Sequence, residues 1–397
     1  MKLSTVLLLL SFSLNLNYPA VAEEVSAGTA EKSGERWSVE RIQDWQKREG
    51  WRVGANFLPS TAINQHEMWS AATWDPETLK RELDLVRDTG MNTLRVFLHD
   101  RTYAEDAEGF LKRLDLFLSM CAERGIKPML VFFDDCWLSP SQVPTLIPAP
   151  RPGTHNSGWL QSPGSDLVRA YPTDKALQQR LRSYVQSVIR RFANDPRILA
   201  WDLFNEPGNR ANRRFDDKGQ ELPGDHRLPP EIKGDCALLR DVFQWAREIN
   251  PQQPLTSGVW TGLTPAPSPV VRLQLENSDF ISFHSYGKLD VVKGMVAQLR
   301  KNAPGRPLLC SEYMARNNGC TFEAILPFFA AENISAMSWG FVDGKSQTKY
   351  GWSSWKQPEP DEPKLWLHDL YRKDGTPYRQ AEVDLIRKLS AEKKKGA

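Results

Sequence analysis

The sequence predicts an α/β fold, a closed (β/α)8 TIM barrel with long loops on the face where such barrels carry their active sites. Eight short apolar runs alternate with amphipathic helical patterns along the chain. Polar and acidic residues stand at the C-terminal ends of several runs, and these ends form the rim on which barrel sites are built. An open doubly wound sheet is the alternative, but no glycine-rich first turn supports it.

The predicted strands are apolar runs of strand length that are bounded by polar or turn-forming residues. They are 51–58, 93–98, 127–133, 198–205, 254–260, 280–286, 307–313 and 335–342. Helices are predicted at 76–89, 110–124, 174–193, 234–249, 290–301, 321–331 and 379–395, with a short irregular piece near 270–276. Asp75 and Gly125 mark one helix start and one helix end, because these residue types favour helix caps.

Residues 1–22 have the pattern of a secretory signal peptide. Lys2 precedes an apolar run, and Ala-Val-Ala at 20–22 provides a small-residue cleavage site. A transmembrane anchor is the alternative, but the continuous apolar run is far shorter than the roughly 20 residues that span a bilayer. We therefore expect a secreted or periplasmic protein.

Residues 23–50 are predicted to be an N-terminal extension ahead of a barrel domain at 51–397. The extension is polar, and we expect it to be partly disordered and partly a short amphipathic lid that carries Trp37, Ile42 and Trp45. The barrel domain is long enough to form one large folded unit.

The composition is that of an ordinary soluble globular chain: 40% of its 397 residues are hydrophobic, 25% are charged, and the net charge is +2. The basic run 393–395 ends a predicted helix and is most simply a solvated terminus, so no nucleic-acid partner is expected. The five cysteines are odd in number and lack metal-ligand spacing. We expect no cofactor, no metal, no membrane partner and a monomeric protein.

Chemistry-bearing side chains gather at the predicted strand ends. They are Arg95 and His99 on the second strand, Asp134, Asp135, Cys136 and Trp137 after the third, Asn205 and Glu206 at the fourth, Trp260 at the fifth, His284 and Tyr286 at the sixth, Glu312 at the seventh and Trp339 at the eighth. Because the C-terminal ends of parallel barrel strands share one face, we expect these side chains to converge.

Two carboxylates, Glu206 and Glu312, end the fourth and seventh strands and should face each other across the barrel mouth. Glycoside hydrolysis requires such a pair, one group to protonate the leaving oxygen and one to attack the anomeric carbon or activate water. Arg95 can hold Glu312 ionised, whereas Glu206 needs a raised pKa to keep its proton.

Four motifs resemble the retaining glycoside hydrolases of clan A, especially the family 5 cellulase-like enzymes. They are Trp-Asp-Leu-Phe-Asn-Glu-Pro at 201–207, His-Ser-Tyr at 284–286, Leu-Cys-Ser-Glu-Tyr at 309–313 and Trp339. The resemblance covers most of the chain from about residue 51, and it implies that Glu206 is the acid/base and Glu312 the nucleophile. It also implies substrate-binding roles for the following residues: Arg95, Asn205, His284, Tyr286 and Trp339.

Simpler roles remain open for several of these residues. Arg95 could merely neutralise a buried carboxylate, and Trp339 could be a core side chain. His99 fits a buried hydrogen-bonding role as well as a sugar contact. Trp137, like Trp69 and Trp159, fits a sugar platform as well as loop packing. Asp134 and Asp135 could ligate a metal, but no histidine or cysteine cluster supports such a site.

The third strand ends without the histidine-bearing turn common in family 5 cellulases, which places the sugar subsite in question. The first loop at 59–69 and the segment 155–159 also resemble a bacterial cellulase-like group loosely labelled 1,4-beta-xylanase. We interpret the chain as a secreted retaining β-glycosidase whose substrate is a carbohydrate. The alternatives are a catalytically silent carbohydrate-binding barrel and a metal-dependent hydrolase on the same fold. The sugar and the linkage stay open.

The segment from 134 to about 173 is some 40 residues long, whereas connections in compact domains are commonly about 2–6 residues. We expect this segment to cover the sugar site and, together with 64–69, to close one end of a groove. A pocket or short cleft that favours short oligosaccharides or chain ends would follow.

Overall fold

The structure, a computed structural model, describes residues 34–209, 233–263 and 266–395. The predicted signal peptide at 1–22 and the first part of the predicted extension lie outside the described residues. The segment Ser33–Ala397 forms one compact unit. Among the described helices, none has both the length and the hydrophobicity needed to cross a membrane.

All eight predicted strands are present, and they form one parallel sheet. The strands are β1 (Val53–Asn56), β2 (Thr93–Phe97), β3 (Lys127–Asp134), β4 (Ala200–Asn205), β5 (Leu255–Thr256), β6 (Ile281–His284), β7 (Leu308–Tyr313) and β8 (Ser335–Ser338). Their order is β5-β4-β3-β2-β1-β8-β7-β6.

The last gap, between β5 and β6, is closed just beyond the end of β5. The backbone N–H of Val259 donates to the Ser282 carbonyl at 2.9 Å, and the N–H of His284 donates to the Val259 carbonyl at 2.9 Å. These two hydrogen bonds complete the ring of strands. The predicted (β/α)8 barrel is therefore confirmed.

Except for the first one, which precedes the first strand, the helices follow the strands on the outside of the barrel, and their buried faces pack inward. They are α1 (Val39–Glu49), α2 (Gln65–Trp69), α3 (Pro76–Asp88), α4 (Asp100–Glu105), α5 (Ala107–Ala122), α6 (Ser165–Ala170), α7 (Lys175–Phe192), α8 (Lys233–Ile249), α9 (Pro269–Asn277), α10 (Leu289–Asn302), α11 (Phe322–Ala331) and α12 (Gln380–Lys395). The prediction of an irregular piece near 270–276 is wrong. This part of the chain is the regular helix α9, with Ser268 as its N-cap and Pro269 in its first turn.

The N-terminal end of the barrel is covered by α1 and the residue before its cap. Trp37, Ile42 and Trp45 are buried in a cluster with residues from the starts of the strands. The Trp45 ring stacks on Phe280 with ring centroids 5.2 Å apart. The amphipathic segment predicted as a lid is thus a helix that caps the barrel end opposite the C-terminal rim.

Two long segments meet over the C-terminal rim. The first follows β3 and the second follows β8, and backbone hydrogen bonds join them, from Asn156 N–H to the Ser346 carbonyl at 2.8 Å and from Glu359 N–H to the Gly153 carbonyl at 2.9 Å. The expected contact with the first loop is also present, because the Asn64 amide donates to the Gly158 carbonyl at 2.8 Å. The rim is therefore walled on one side by three connected segments.

Gly54 in β1 lies where any side chain would collide with the neighbouring strand, since a Cβ built on it would lie 1.9 Å from the Thr93 carbonyl oxygen. We expect Gly54→Ala to lower the free energy of unfolding by at least about 1–3 kcal/mol, the usual cost of overpacking. Urea denaturation of the purified protein measures it.

The matched control is Gly294→Ala in α10, where a Cβ would meet no other atom within 4 Å. A helical Gly→Ala change should raise the free energy of unfolding by about 0.5–1 kcal/mol. Equal effects of the two substitutions would contradict the tight β1–β2 contact.

Candidate active site

The centre of the C-terminal half of the barrel is occupied by the fully buried guanidinium of Arg95 on β2. Its Nε and Nη2 donate to one oxygen of Asp202 at 3.0 and 2.8 Å, and Nη2 also donates to the Asn205 amide oxygen at 2.6 Å. Its Nη1 donates to Asn56 at 3.0 Å and to Glu312 at 2.6 Å. One cation thus binds side chains from β1, β4 and β7.

The charge of this guanidinium is secured by its two carboxylate partners. Burial alone would lower the pKa of Arg95, but Asp202 and Glu312 outweigh that effect and raise the pKa above its usual value. Arg95 is therefore cationic at every working pH. A cation inside a barrel requires such compensation, because an unpaired buried charge is strongly destabilising.

The two predicted catalytic carboxylates face each other as the sequence indicates. One oxygen of Glu206, one of Glu312 and a ring nitrogen of His284 all lie within 4.8 Å of one another. His284 Nδ1 is hydrogen-bonded to Glu206 at 2.6 Å and lies 3.6 Å from Glu312. The Tyr286 hydroxyl donates to the second oxygen of Glu312 at 2.7 Å.

Glu206 has different hydrogen-bond partners, and all of them are uncharged. The Cys136 thiol donates to its Oε2 at 3.2 Å, and the Asn209 amide donates to the same oxygen. Burial raises the pKa of the Cys136 thiol well above its usual value, so it stays a protonated donor. Burial lowers the pKa of His284 to about 4, so its ring is neutral beside Glu206.

Burial affects both carboxyls, but only one of them has a cation as a direct partner. Burial raises the pKa of both Glu206 and Glu312. Only Glu312 accepts a direct hydrogen bond from a guanidinium, and Tyr286 adds a second donor to it. Hydrogen bonds and cations favour the ionised form of a carboxyl. The two carboxyls therefore share the effect of burial and differ in their direct electrostatic partners.

The backbone at three strand ends adopts left-handed conformations that only glycine takes without strain. Trp137, Glu206 and Met314, after β3, β4 and β7, have φ angles of 64°, 45° and 78°. Each such residue costs on the order of 1 kcal/mol, and positions of this kind concentrate at functional sites. The left-handed turn at Glu206 follows the apolar run of β4 directly.

A cavity of about 370 Å³ opens above the carboxylate pair. Of the nine predicted site residues, Glu206, Glu312, Asn205, Tyr286, Trp339 and Trp137 line it. Arg95 and His284 do not line it; they lie beneath the carboxylates and bind them. Their placement favours control of the carboxylates over direct contact with a sugar.

His99 is not brought to the cavity, and the expectation of a sugar contact there needs correction. Its side chain is fully buried, and its Nδ1 accepts a hydrogen bond from the Arg101 N–H as the N-cap of α4. Its ring packs edge-on against His66 at 5.5 Å. Burial lowers the pKa of His99 to about 4, so it is a neutral capping residue.

Two tryptophans considered as sugar platforms are also buried. Trp69 donates its indole N–H to the Phe97 carbonyl at 2.7 Å and packs outside the barrel against Phe110. Trp159 donates to Asp134 at 2.5 Å and packs edge-on against Trp339 at 5.4 Å. Both therefore stabilise loops, and neither lies on the cavity wall.

Asp134 has no free oxygen for a metal ion. Its Oδ1 accepts from Asn205 at 2.8 Å and from the Cys136 N–H at 3.0 Å, while Trp159 binds Oδ2. The group Glu206, His284 and Glu312 is compact enough to hold an ion, but its carboxylate oxygens already accept hydrogen bonds and Arg95 places a positive charge 2.6 Å from Glu312. This donor set favours a carboxylate pair over a metal centre.

Several cavity residues lie outside the predicted set. They are Cys136, His155, Asn209, Trp260, Trp352, Trp355 and His368. Trp352, Trp355 and His368 belong to the segment between β8 and α12, whose length of some 40 residues equals that of the segment after β3. The unusual length of this segment and the tryptophans in it are the sequence features that could have identified these cavity residues.

A parallel barrel with two facing carboxylates at the ends of its fourth and seventh strands defines the class of barrel glycosyl hydrolases. Residues 53–345 match the family described as Cellulase (glycosyl hydrolase family 5), so the chain belongs to glycosyl hydrolase family 5. The predicted family is confirmed.

Two curated relatives show the level of similarity. A mannan endo-1,4-beta-mannosidase A from Podospora anserina is 26% identical over 231 residues, which are 54% of this chain and 53% of the relative. A probable mannan endo-1,4-beta-mannosidase F from Emericella nidulans is 31% identical over 97 residues, 24% of this chain and 19% of the relative. The chain thus spans about half or less of the length of these relatives.

The fold is shared with GH5_18 from Streptomyces cattleya, whose crystal structure is in complex with GlcNAc. The TM-score is 0.58 at 15% identity, over 88% of this chain and 81% of that chain. At this identity the likeness concerns the barrel fold.

Asp202→Asn removes the second anionic partner of Arg95 with almost no change in shape. Because breaking a buried ion pair leaves an uncompensated charge, we expect a loss of about 3–5 kcal/mol in the free energy of unfolding. Urea denaturation checks the value, with an unchanged slope as evidence of the same unfolding transition.

Glu332→Gln is the control for Asp202→Asn, because Glu332 pairs with Arg300 at 2.8 Å on the surface. Exposed pairs contribute about 0–1 kcal/mol. If both substitutions cost less than about 1 kcal/mol, Arg95 does not depend on Asp202.

Proposed function

We propose that this family 5 protein is a retaining β-glycosidase that acts by double displacement, with Glu312 as the nucleophile and Glu206 as the acid/base. The observation that carries the proposal is the separation of the two carboxylates, which have oxygens within 4.8 Å of each other. Retaining enzymes hold the two groups about 5–5.5 Å apart, whereas inverting enzymes leave about 6.5–9.5 Å for a water.

In the first step an oxygen of Glu312 attacks the anomeric carbon, and the bond from that carbon to the leaving oxygen breaks. Glu206 gives its proton to that oxygen, so the leaving group departs as a neutral alcohol. Arg95 and Tyr286 favour the ionised nucleophile before the attack.

In the second step water attacks the same carbon of the glycosyl-enzyme. Glu206, now ionised, takes a proton from the water, and the ester bond to Glu312 breaks. The uncharged donors Cys136 and Asn209 can follow Glu206 through both protonation states, because they need no change in charge. Asn205 lines the cavity beside Glu206, and the proposal includes a contact between its amide and a sugar hydroxyl.

The substrate that we propose is a β-1,4-linked mannoside. Support comes from the curated relatives, which carry the name mannan endo-1,4-beta-mannosidase. They give no support to the loose xylanase label. The chain matches only part of these relatives, so the identity of the sugar is proposed from that partial similarity.

The shape of the site supports short substrates or chain ends. The cavity of about 370 Å³ lies near the lower limit of ligand pockets, which span about 300–1,000 Å³. Its wall is formed by the joined segments after β3 and β8, and Trp137 stacks on Trp355 across them with centroids 5.1 Å apart. A wall of this kind favours a chain end over the middle of a long polymer.

Two other functions are less well supported. A metal-dependent hydrolase is disfavoured by the hydrogen-bonded state of the carboxylate oxygens, and full activity in the presence of a chelator would exclude it. A silent carbohydrate-binding barrel is disfavoured by the intact carboxylate pair, and hydrolysis of an aryl β-glycoside would exclude it.

The pattern of residues 1–22 supports export as a further proposal, with removal of these residues as a signal peptide. N-terminal sequencing of the protein from the periplasm or the medium should begin at Glu23. A protein that retains residues 1–22 inside the cell would contradict export.

Glu206→Ala should reduce the hydrolysis of unactivated oligosaccharides by about 10²–10⁴-fold, the usual contribution of a general acid. Aryl glycosides with good leaving groups should lose far less in the glycosylation step, and azide should partly rescue turnover. In the wild type, burial raises the pKa of Glu206. Since the acid must be protonated, kcat/KM should fall as the pH rises through that raised pKa, and this basic limb should vanish in the variant.

Steady-state kinetics over a leaving-group series and a pH series provide both measurements. Asn318→Ala is a matched control, because this exposed residue near the rim donates only weakly to the Tyr286 carbonyl at 3.5 Å. A basic limb that persists unchanged in Glu206→Ala would rule out Glu206 as the acid.

Product analysis tests both the sugar and the pocket. We expect hydrolysis of p-nitrophenyl β-mannoside or β-mannooligosaccharides in preference to the glucose and xylose counterparts. We also expect one short product from the first time point. Early release of mixed long fragments, with a steep fall in the viscosity of a polysaccharide solution, would contradict the preference for short substrates or chain ends. Equal rates of hydrolysis on the mannose, glucose and xylose substrates would contradict the proposed mannoside specificity.

A further inference from the structure

The turn at the end of β3, residues 134–136, stands where family 5 cellulases commonly carry a histidine, and its side chains contact the end of β4. The Asp135 carboxylate accepts a hydrogen bond at 2.9 Å from the N–H of Gly208, two residues after Glu206. The Cys136 thiol donates to Oε2 of Glu206 at 3.2 Å. The turn therefore supports the chain segment that carries the acid/base.

The buried guanidinium determines the direction of the hydrogen bonds at Cys136. Arg95 can only donate, so the amide oxygen of Asn205 faces it, at 2.6 Å from Nη2. The amide NH2 of Asn205 then donates to Asp134 at 2.8 Å and to the Cys136 sulfur at 3.4 Å. Because the sulfur accepts from this amide, its own hydrogen is left for Glu206. A series of hydrogen bonds thus runs from the guanidinium through the thiol to the acid/base.

The position and the protonation state of the thiol are both fixed by its surroundings. The backbone N–H of Cys136 donates at 3.0 Å to the same oxygen of Asp134 that accepts from Asn205. Burial raises the pKa of the thiol well above its usual value, and the carboxyls of Asp134, Glu206 and Glu312 add to this effect. The thiol is therefore a neutral donor in a fixed place.

A thiol is a weaker hydrogen-bond donor than a hydroxyl group. A strong donor to Glu206 would favour the ionised carboxylate and so lower its pKa, whereas loss of the donor would raise the pKa further. Burial is the main cause that raises the pKa of Glu206, and the hydrogen bond from Cys136 opposes it. A general acid works best when its pKa lies near the working pH, so the strength of this donor matters to the reaction.

We propose that Cys136 is a positioning residue for the acid/base, and that its weak donor holds the Glu206 carboxyl in place while leaving the carboxyl proton available for transfer. This inference rests on the proposed function and adds to it a residue that acts through Glu206. A structural role alone would concern stability, whereas the proposed role also concerns the pH dependence of the reaction.

Two substitutions change the donor in opposite directions. Cys136→Ser provides a stronger donor and should move the basic limb of kcat/KM to lower pH by about 0.5–1 pH unit, because the acid must be protonated and its pKa falls. Cys136→Ala removes the donor and should move the limb to higher pH by a similar amount. At a pH above the limb, the serine variant should be about three- to tenfold less active than the wild type. Rates on β-mannooligosaccharides over a pH series provide the measurement.

Both substitutions leave the other groups around the carboxyl unchanged. Among the described residues, the titratable and charged side chains that face Glu206 or Cys136 are Arg95, Asp134, His284, Tyr286 and Glu312. The difference between the two variants therefore reports the donor at position 136.

The matched controls are Cys236→Ser and Cys236→Ala. Cys236 is a partly buried thiol on α8 that does not line the cavity. Both control variants should keep the basic limb of the wild type, and thermal unfolding of all four variants separates effects on stability from effects on the limb.

A titration without turnover measures the same property directly. In protein labelled with glutamate that carries ¹³C at its side-chain carboxyl, the Glu206 signal is assigned by its loss in Glu206→Gln, and its midpoint is followed by NMR. We expect the midpoint to be lowest in Cys136→Ser, intermediate in the wild type and highest in Cys136→Ala. Equal midpoints in all three proteins, or shifts of both variants in the same direction, would overturn the role of Cys136. Where one variant does not fold, the direction of the shift in the other decides.

The two measurements together separate this inference from the proposed function. A basic limb that vanishes in Glu206→Ala, with a Glu206 midpoint that does not respond to Cys136, would leave the catalytic proposal standing and remove the role of the thiol. The expected order of midpoints without glycoside turnover would support the control of Glu206 by the thiol and remove the catalytic proposal.

Discussion

The structure depends on the burial of one positive charge at the centre of the barrel. The guanidinium of Arg95 satisfies four side chains from three strands, and two of them are carboxylates. Such a cation is tolerated only where anions surround it. The same geometry that stabilises the barrel therefore places a cation against Glu312 and fixes Asn205 beside Glu206, so folding and the preparation of the site cannot be separated.

The charge arrangement also gives two identical side chains different surroundings. Glu312 contacts a cation and a phenol, whereas Glu206 contacts a thiol, an amide and a neutral imidazole. Gly258 is part of this arrangement, because a Cβ there would lie 2.8 Å from the Nε2 of His284. The position of His284 between the carboxylates thus requires a glycine just beyond the end of the neighbouring strand β5.

Local sequence patterns predicted most of the scaffold, since alternating apolar runs and capped amphipathic helices specify strands and helices with little help from tertiary contacts. The strand ends then located both carboxylates, Tyr286 and Trp339. Tertiary contacts decided the rest. His99 and Trp69 lie at sequence positions that are compatible with the rim. Only the fold shows that the ring nitrogens of both side chains form hydrogen bonds with backbone groups away from the cavity. Asp202 could have been predicted, because a carboxylate in the middle of an apolar strand needs a buried cation.

The wall of the cavity could not be derived from either rim segment by itself. Trp137 comes from the segment after β3 and Trp355 from the segment after β8, more than 200 residues later, and their stacking depends on hydrogen bonds between the two segments. Long irregular segments carry no periodic signal that specifies their partners. Their length indicates function, but their contacts require the structure.

Glu312 is proposed to form a covalent bond with the sugar, and trapping with an activated 2-deoxy-2-fluoro-β-mannoside tests this step. We expect one sugar per protein by mass spectrometry, found after proteolysis on the peptide that contains Glu312. We also expect, by NMR, a first product with the same anomeric configuration as the substrate. A label on any other residue, or a first product of inverted configuration, would contradict double displacement through Glu312.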